Sequence, residues 1–131
     1  MATIRAYTTI EQSRKLAEIL PLESADMCYS NDGTTIKIDA NPYLVRKKMW
    51  QDIGVIPCWS LAALLDVLPN NENISTNLSK GGYRISTLEY TNSWFVDYED
   101  EINGLNNCVT SADNPVDACV AMIEKLHKLN L

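Results

Sequence analysis

The chain has 131 residues, of which 46% are hydrophobic and 21% are charged, and its formal net charge is −6. A chain of this length buries about two-thirds of its unfolded surface, which is enough for one hydrophobic core. The composition excludes a disordered chain. The acidic balance disfavours non-specific binding to DNA or to an anionic membrane. We therefore expect a single globular domain over residues 1–131.

The sequence carries no targeting signal that we can identify. Residues 1–7 lack a basic segment followed by an apolar run, so we expect no signal peptide. No apolar stretch approaches the roughly 20 residues of a transmembrane helix. The four cysteines show no Cys-x-x-Cys spacing, and in a reducing compartment such residues are small buried hydrophobes. We expect a cytoplasmic protein that makes no membrane contact.

The first predicted element is a capped helix. Thr8 or Thr9 can cap it, and Glu11 or Gln12 lies at the spacing that completes a capping box. The helix should end at Pro21, because proline cannot continue the helical hydrogen bonding.

A β-hairpin is predicted next. Side chains alternate over residues 25–30 and again over 34–39, and Asn31-Asp32-Gly33 separates the two segments. Asn, Asp and Gly tolerate the left-handed backbone conformation of tight turns. Two antiparallel strands are therefore expected.

Residues 41–56 allow two interpretations, a short helix or an irregular arm. The segment holds a basic run with aromatic neighbours, which gives the candidate partner-contact residues: Tyr43, Arg46, Lys47, Lys48 and Trp50. An exposed tryptophan is a good anchor for a protein partner. A basic patch beside a ring could instead grip phosphates while the ring stacks on a base. Three basic charges in an acidic chain make a small patch, so a solvated face or a protein contact is favoured over nucleic acid.

A central helix is predicted over residues 59–68, begun by Pro57 or Ser60 and ended by Pro69. One apolar face would hold four leucines: Leu61, Leu64, Leu65 and Leu68. Residues 70–82 are rich in Asn, Ser and Gly, which is typical of an exposed connection.

Strands are expected over residues 83–89, 93–98 and 105–110, with a turn over 100–104. Asn114-Pro115 then opens a C-terminal helix with apolar residues at helical spacing. This order predicts an α+β fold. We expect an antiparallel sheet of about five strands, with the N-terminal, central and C-terminal helices packed mainly on one face.

The sequence offers no catalytic, cofactor-binding or metal-binding residue that we can assign. His127 is the one histidine, and it lies near a helix C-terminus, where the dipole favours a cation. A Cys–His nucleophile pair would have to form through tertiary contact. The acidic run Asp97–Glu101 fails the calcium-loop pattern, because Ile102 stands where glycine is required. No cofactor is expected, and enzymatic activity is disfavoured.

Three segments carry a family resemblance. They are residues 57–69, residues 112–127 with Asn114-Pro115-Val116-Asp117, and residues 11–27. They resemble small proteins of gut bacterial genomes and of their prophages or mobile elements, a family with no assigned activity. The resemblance implies a cytoplasmic bacterial or phage-encoded protein, and it supplies no functional residue.

The leading functional hypothesis is a small non-enzymatic binding or regulatory protein that acts through protein–protein contacts, with self-association among its options. The first alternative is a nucleic-acid-associated accessory protein that uses Arg46, Lys47, Lys48 and Trp50. The second is an enzyme or ligand-binding domain with a pocket under the 70–82 connection, near Cys58 or His127.

Overall fold

The computed structural model describes residues 6–31, 36–39, 56–81, 83–84, 89–90, 92–102 and 105–129. These ranges hold three α-helices, one 3₁₀ turn and eight strands. The chain divides into two compact units, an N-terminal unit of residues 6–67 and a C-terminal unit of residues 68–131 together with 1–5. That residues 1–131 form a single domain stays a prediction.

The N-terminal unit begins with helix α1, Ile10–Ile19. The predicted capping box is confirmed at Thr9: its hydroxyl accepts the Gln12 N–H at 3.2 Å, and the Gln12 side chain accepts the Thr9 N–H at 3.0 Å. Two of the unpaired N–H groups at the helix start are thereby satisfied. The 3₁₀ turn Leu22–Ser24 follows at Pro21.

Three strands form the sheet of the N-terminal unit: β1 (Met27–Asn31), β2 (Ile36–Asp39) and β3 (Ile56–Cys58). The spatial order is β2-β1-β3, and both pairings are antiparallel. The two antiparallel strands of the predicted hairpin are confirmed. The prediction of Asn31 as a turn residue is wrong, because it ends β1 opposite Ile36, and Asp32 and Gly33 lie outside the described residues. Strand β3 was not predicted, because Pro57 resembles a helix start and its partner Cys28 lies far away in sequence.

The central helix, α2, spans Leu61–Val67 and is shorter than predicted. Ser60 caps it, since the Ser60 hydroxyl accepts the Ala63 N–H at 3.2 Å. The predicted four-leucine face is wrong at Leu65, which is 41% exposed, whereas Leu64 and Ala63 are buried.

The C-terminal unit contains a second sheet in the order β4-β7-β8, again antiparallel throughout. Its strands are β4 (Ile74–Lys80), β7 (Trp94–Asp100) and β8 (Leu105–Ala112). The prediction of an exposed connection over 70–82 is wrong, because β4 occupies most of it. Pairing with all seven residues of β7 overrides the weak strand propensity of Asn77 and the serines.

A separate two-stranded pair is formed by β5 (Tyr83–Arg84) and β6 (Glu89–Tyr90). Arg84 stands opposite Glu89, so the single strand predicted over 83–89 is wrong.

Helix α3, Pro115–Lys128, confirms the predicted C-terminal helix. The Asn114 side chain accepts the Val116 N–H at 2.9 Å, and Pro115 occupies the first turn. The helix packs on β7 and β8 and buries one face against them, which includes Val116, Cys119, Val120 and Ile123. The sheet contributes Val96, Tyr98 and Cys108 to this core.

The α+β class is confirmed, whereas the single sheet of about five strands is wrong. The described strands form three sheets, two of three strands and one of two. Helix α1 packs on β3, and α3 packs on β7 and β8, so separate helices cover separate sheets. None of the helices in the described ranges is long and apolar enough to cross a membrane.

Candidate functional site

The predicted partner-contact residues lie outside the described ranges: Tyr43, Arg46, Lys47, Lys48 and Trp50. Their role stays a prediction. Of the other two tryptophans, Trp59 is fully buried and Trp94 is half-buried. The candidate site must therefore be built from other residues.

Thr8 lies at the centre of a buried polar group in the N-terminal unit, which we call the Thr8 cluster: Thr8, Ser13, Tyr29, Cys58 and Trp59. The Thr8 hydroxyl lies 2.7 Å from the Ser13 hydroxyl and accepts the Trp59 N–H at 3.2 Å. Its backbone N–H donates to the Trp59 carbonyl at 3.0 Å. The Tyr29 hydroxyl donates to the Thr8 carbonyl at 2.6 Å. The cluster thus ties the start of α1 to β1 and to the end of β3.

The Cys58 thiol in this cluster is poorly suited to nucleophilic chemistry. Its sulfur lies 3.5 Å from both the hydroxyl and the carbonyl oxygen of Thr8. Burial raises the pKa of Cys58, and hydrogen bonds from Thr8, Ser13 and Tyr29 offset only part of that rise. Because the thiolate is the reactive form, a thiol that holds its proton is inert at neutral pH.

Asp26 fixes the entry to α2. Its carboxylate accepts the Ser60 N–H at 2.9 Å and also the Ser60 hydroxyl, which in turn accepts the Ala63 N–H. Nearby, the Trp59 indole N–H donates to the Ser24 hydroxyl at 2.9 Å. Ser60 and Asp26 therefore satisfy the free donors of a helix N-terminus, which is a structural role.

A buried carboxylate ends β7 in the C-terminal unit. Asp100 is 1% exposed and accepts the Tyr98 hydroxyl at 3.2 Å and the Ile102 N–H at 3.1 Å. Burial, and next the charge of Asp100, raise the pKa of Tyr98, so this phenol stays a donor at neutral pH. The sequence analysis considered Asp97–Glu101 only as a calcium loop that fails its pattern, and so missed the burial of Asp100. The period-two alternation, which places Asp100 on the face of Val96 and Tyr98, is the signal that could have found it.

A small open depression lies beside this turn. It measures about 40 Å³ and is lined by Asn71–Ser75 with Glu99 and Glu101. Such a volume suits a few water molecules rather than a substrate. Neither His127 nor any thiol lines it. Within the described part of the chain, no three His, Cys, Asp or Glu side chains are grouped so as to hold a metal ion.

The C-terminal unit does not favour the Cys–His pair considered from sequence. Cys108 and Cys119 are buried free thiols, whereas His127 is exposed on α3. Burial raises the pKa of Cys119 to about 11, which keeps it protonated. An exposed imidazole and a buried, protonated thiol do not make an activated nucleophile.

The two outer strands of the β4-β7-β8 sheet differ in how their edges are covered. Along β4, the Thr76 hydroxyl donates to the Pro69 carbonyl at 2.7 Å. The Asn71 N–H donates to the Ile74 carbonyl at 2.7 Å. The preceding loop therefore bonds to β4 at Ile74 and at the Thr76 side chain, and Lys80 adds a charge at the end of the strand. Covering loops and lysines are common protections of sheet edges.

Strand β8 carries neither protection in the described ranges. Among the described residues it pairs with β7 alone, and no backbone hydrogen bond to another described residue lies outside that pairing. Its eight residues include no charge and no proline. Val109 is 39% exposed, and Ser111 is exposed on the same face of the sheet, the face opposite to α3. We call the outer backbone of β8 together with the Val109 side chain the β8 edge.

One row across the sheet provides a matched pair of positions on the two edges. Asn77 of β4 stands opposite Asp97 of β7, which stands opposite Val109 of β8. Opposite residues share a face, so Asn77 and Val109 both point away from α3. Both side chains are exposed, but Asn77 lies on the β4 edge strand and Val109 on the β8 edge strand.

Comparison of the chain with protein-family models, with curated proteins and with solved structures found no match in any of the three. The resemblance to gut bacterial and phage proteins therefore stays an expectation.

Proposed function

We propose that this chain is a small non-enzymatic binding protein that contacts another protein through the β8 edge. The observation that carries the proposal is an uncharged strand of eight residues, Leu105–Ala112, paired on one side only within the described ranges. Such a strand presents a row of N–H and C=O groups that a partner strand can pair with.

The remaining polar groups of the described residues support this choice. The Thr8 cluster and Asp100 form hydrogen bonds with other residues inside the protein. The buried thiols of Cys58 and Cys119 are held in the protonated form. Across the described residues, every buried side-chain N or O atom has a hydrogen-bond partner. The outer backbone of β8, by contrast, pairs with no other strand in the described ranges.

The two alternatives have less support. The nucleic-acid hypothesis rests on Arg46, Lys47, Lys48 and Trp50, which lie outside the described ranges. The hypothesis of a pocket under the 70–82 connection loses its premise, because β4 occupies residues 74–80. That the chain is a cytoplasmic protein encoded by a bacterium or a phage, which the resemblance implies, belongs to the proposal.

Photo-cross-linking tests the proposed surface directly. Benzoylphenylalanine is placed at Val109 in one variant and at Asn77 in its matched control, and both are irradiated in cells that naturally contain the chain. We expect a covalent adduct of higher mass from position 109 and none from position 77. Equal adducts at both positions, or none at either, would overturn the proposal.

A further inference from the structure

We propose that the occupant of the β8 edge is a second copy of this chain, paired antiparallel with the first across a two-fold axis at Val109. The inference rests on the proposed function, because it names the partner of the same surface. The three-stranded sheet β4-β7-β8 would then continue into a sheet of six strands.

The register follows from strand geometry. Residues directly opposite each other in an antiparallel pair point to the same face. A two-fold axis between two identical strands must therefore lie midway between a residue and its own copy. At Val109, the axis sets the exposed valine against its own copy, Cys108 opposite Thr110, and Asn107 opposite Ser111. The contact is isologous, as closed dimers require. It also removes from water the apolar side chain that is 39% exposed in the single chain.

Charge favours this strand as the meeting point of two acidic chains. Each copy carries a net charge of −6, yet β8 contributes no charge. Directly opposite Val109, on the face of the sheet away from α3, stands Asp97, one strand inward. Across the axis the two copies of Asp97 would be three strand spacings, or about 14 Å, apart. That exceeds the Debye length of about 8 Å at physiological ionic strength, so their repulsion is largely screened.

The helix layer is compatible with the same axis. Helix α3 packs on both β7 and β8, on the face opposite to Val109. With strands about 4.8 Å apart, a helix over the β7–β8 boundary lies about 5 Å from the axis. The two copies of α3 would then be about 10 Å apart, within the usual range for packed helices. A paired edge with one helix contact is a small interface, so we expect a dissociation constant in the micromolar range.

Sedimentation equilibrium of the purified full chain tests self-pairing. We expect a concentration-dependent monomer–dimer equilibrium for the natural sequence. Val109→Lys places two ammonium groups against each other at the axis and should weaken dimerisation at least tenfold. Asn77→Lys makes the same change on the opposite edge strand, β4, and should leave the equilibrium unaltered. Circular dichroism of both variants checks that they are folded.

Disulfide trapping tests the register. In mild oxidation, Val109→Cys should form a disulfide-linked dimer, since opposite Cβ atoms lie about 4.5–5.5 Å apart and disulfides need little less. Ser111→Cys should not, because the two copies of this position would be about 13 Å apart along the strands. The native thiols at Cys28, Cys58, Cys108 and Cys119 are buried and serve as an internal background.

A natural chain that stays monomeric at all concentrations would overturn the inference, as would Val109→Lys dimerising like the natural sequence. Equal trapping at positions 109 and 111 would overturn the stated axis. If the chain is monomeric but benzoylphenylalanine at position 109 links to a different protein, the proposed function holds and self-pairing fails. If neither photo-cross-linking nor disulfide trapping at position 109 gives an adduct, both the proposed function and self-pairing fail.

Discussion

The Thr8 cluster and the β8 edge handle their polar groups in opposite ways. In the first, a single hydroxyl is shared by Ser13, Cys58 and the Trp59 N–H, and the backbone of Thr8 is bonded on both sides. In the second, eight consecutive residues bond to β7 alone within the described ranges. Both are built from uncharged residues, so charge does not distinguish them.

The difference indicates which residues should determine the stability of the fold and which should determine association with a partner. A buried donor or acceptor that loses its partner costs the protein about 1–3 kcal/mol, whereas an edge group in water loses little. Changes in the Thr8 cluster should therefore act on the free energy of unfolding. Changes at the β8 edge should act on association and leave unfolding nearly unaltered. Four substitutions test this contrast.

The largest loss of stability is expected for Leu16→Ala in α1. Leu16 is fully buried, so its truncation should lower the free energy of unfolding by about 2–5 kcal/mol in urea denaturation. Lys15→Ala, on the exposed side of α1, should cost less than about 0.5 kcal/mol. If residues 1–131 form one domain, amide protection should fall together in α1 and α3. Loss of protection in α1 alone would show that the two units unfold separately.

Thr8→Val should have the next largest effect. Valine keeps the shape but removes the oxygen shared by Ser13 and the Trp59 N–H, so we expect a loss of about 1–3 kcal/mol in the same assay. Ser79→Ala, which removes an exposed hydroxyl from β4, is the matched control and should be nearly neutral. A Thr8→Val variant as stable as the natural chain would remove the cluster's role.

Asn114→Ala should cost about 1 kcal/mol, because it deletes the oxygen that caps α3 through the Val116 N–H. Asn114→Asp keeps an acceptor at the helix N-terminus and should restore most of the thermal stability. Dimerisation should be equal in the two variants. An alanine variant that lost dimerisation would mean that the helix, rather than the β8 edge, carries the contact.

Val109→Lys should have the smallest effect on unfolding, within about 0.5 kcal/mol of the natural chain when both are dilute. Val109 is 39% exposed, so a lysine can reach water without disturbing the core. Chemical denaturation at low concentration measures this directly, with Asn77→Lys beside it. A large loss of stability would indicate that Val109 packs inside the single chain.

The elements that sequence reasoning recovered are those with local signals. The Thr9 box and the Asn114 cap each involve residues two or three positions apart, and both were predicted. The pairing of β1 with β2 was also predicted, because turn-forming residues stand between two alternating segments in the sequence. Capping and turn chemistry act over a few residues, so a single sequence carries them.

The missed elements depend on partners far along the chain. Strand β4 pairs with β7 some 20 residues later, with Ile74 opposite Asp100 and Lys80 opposite Trp94. Its Asn and Ser content gave no local sign of a strand. The candidate site shows the same limit: residues 105–110 were predicted as a strand, but its position at the sheet edge follows only from the strand order.

Amide hydrogen exchange along β8, followed by NMR at a low and a high protein concentration, tests the central claim most directly. The amides of Thr8 and of other internally bonded residues should be protected at both concentrations. Every second amide of Leu105–Ala112 should exchange rapidly in dilute solution and become protected as the concentration rises. The same β8 exchange pattern at both concentrations would contradict the account, whether those amides are always protected or never.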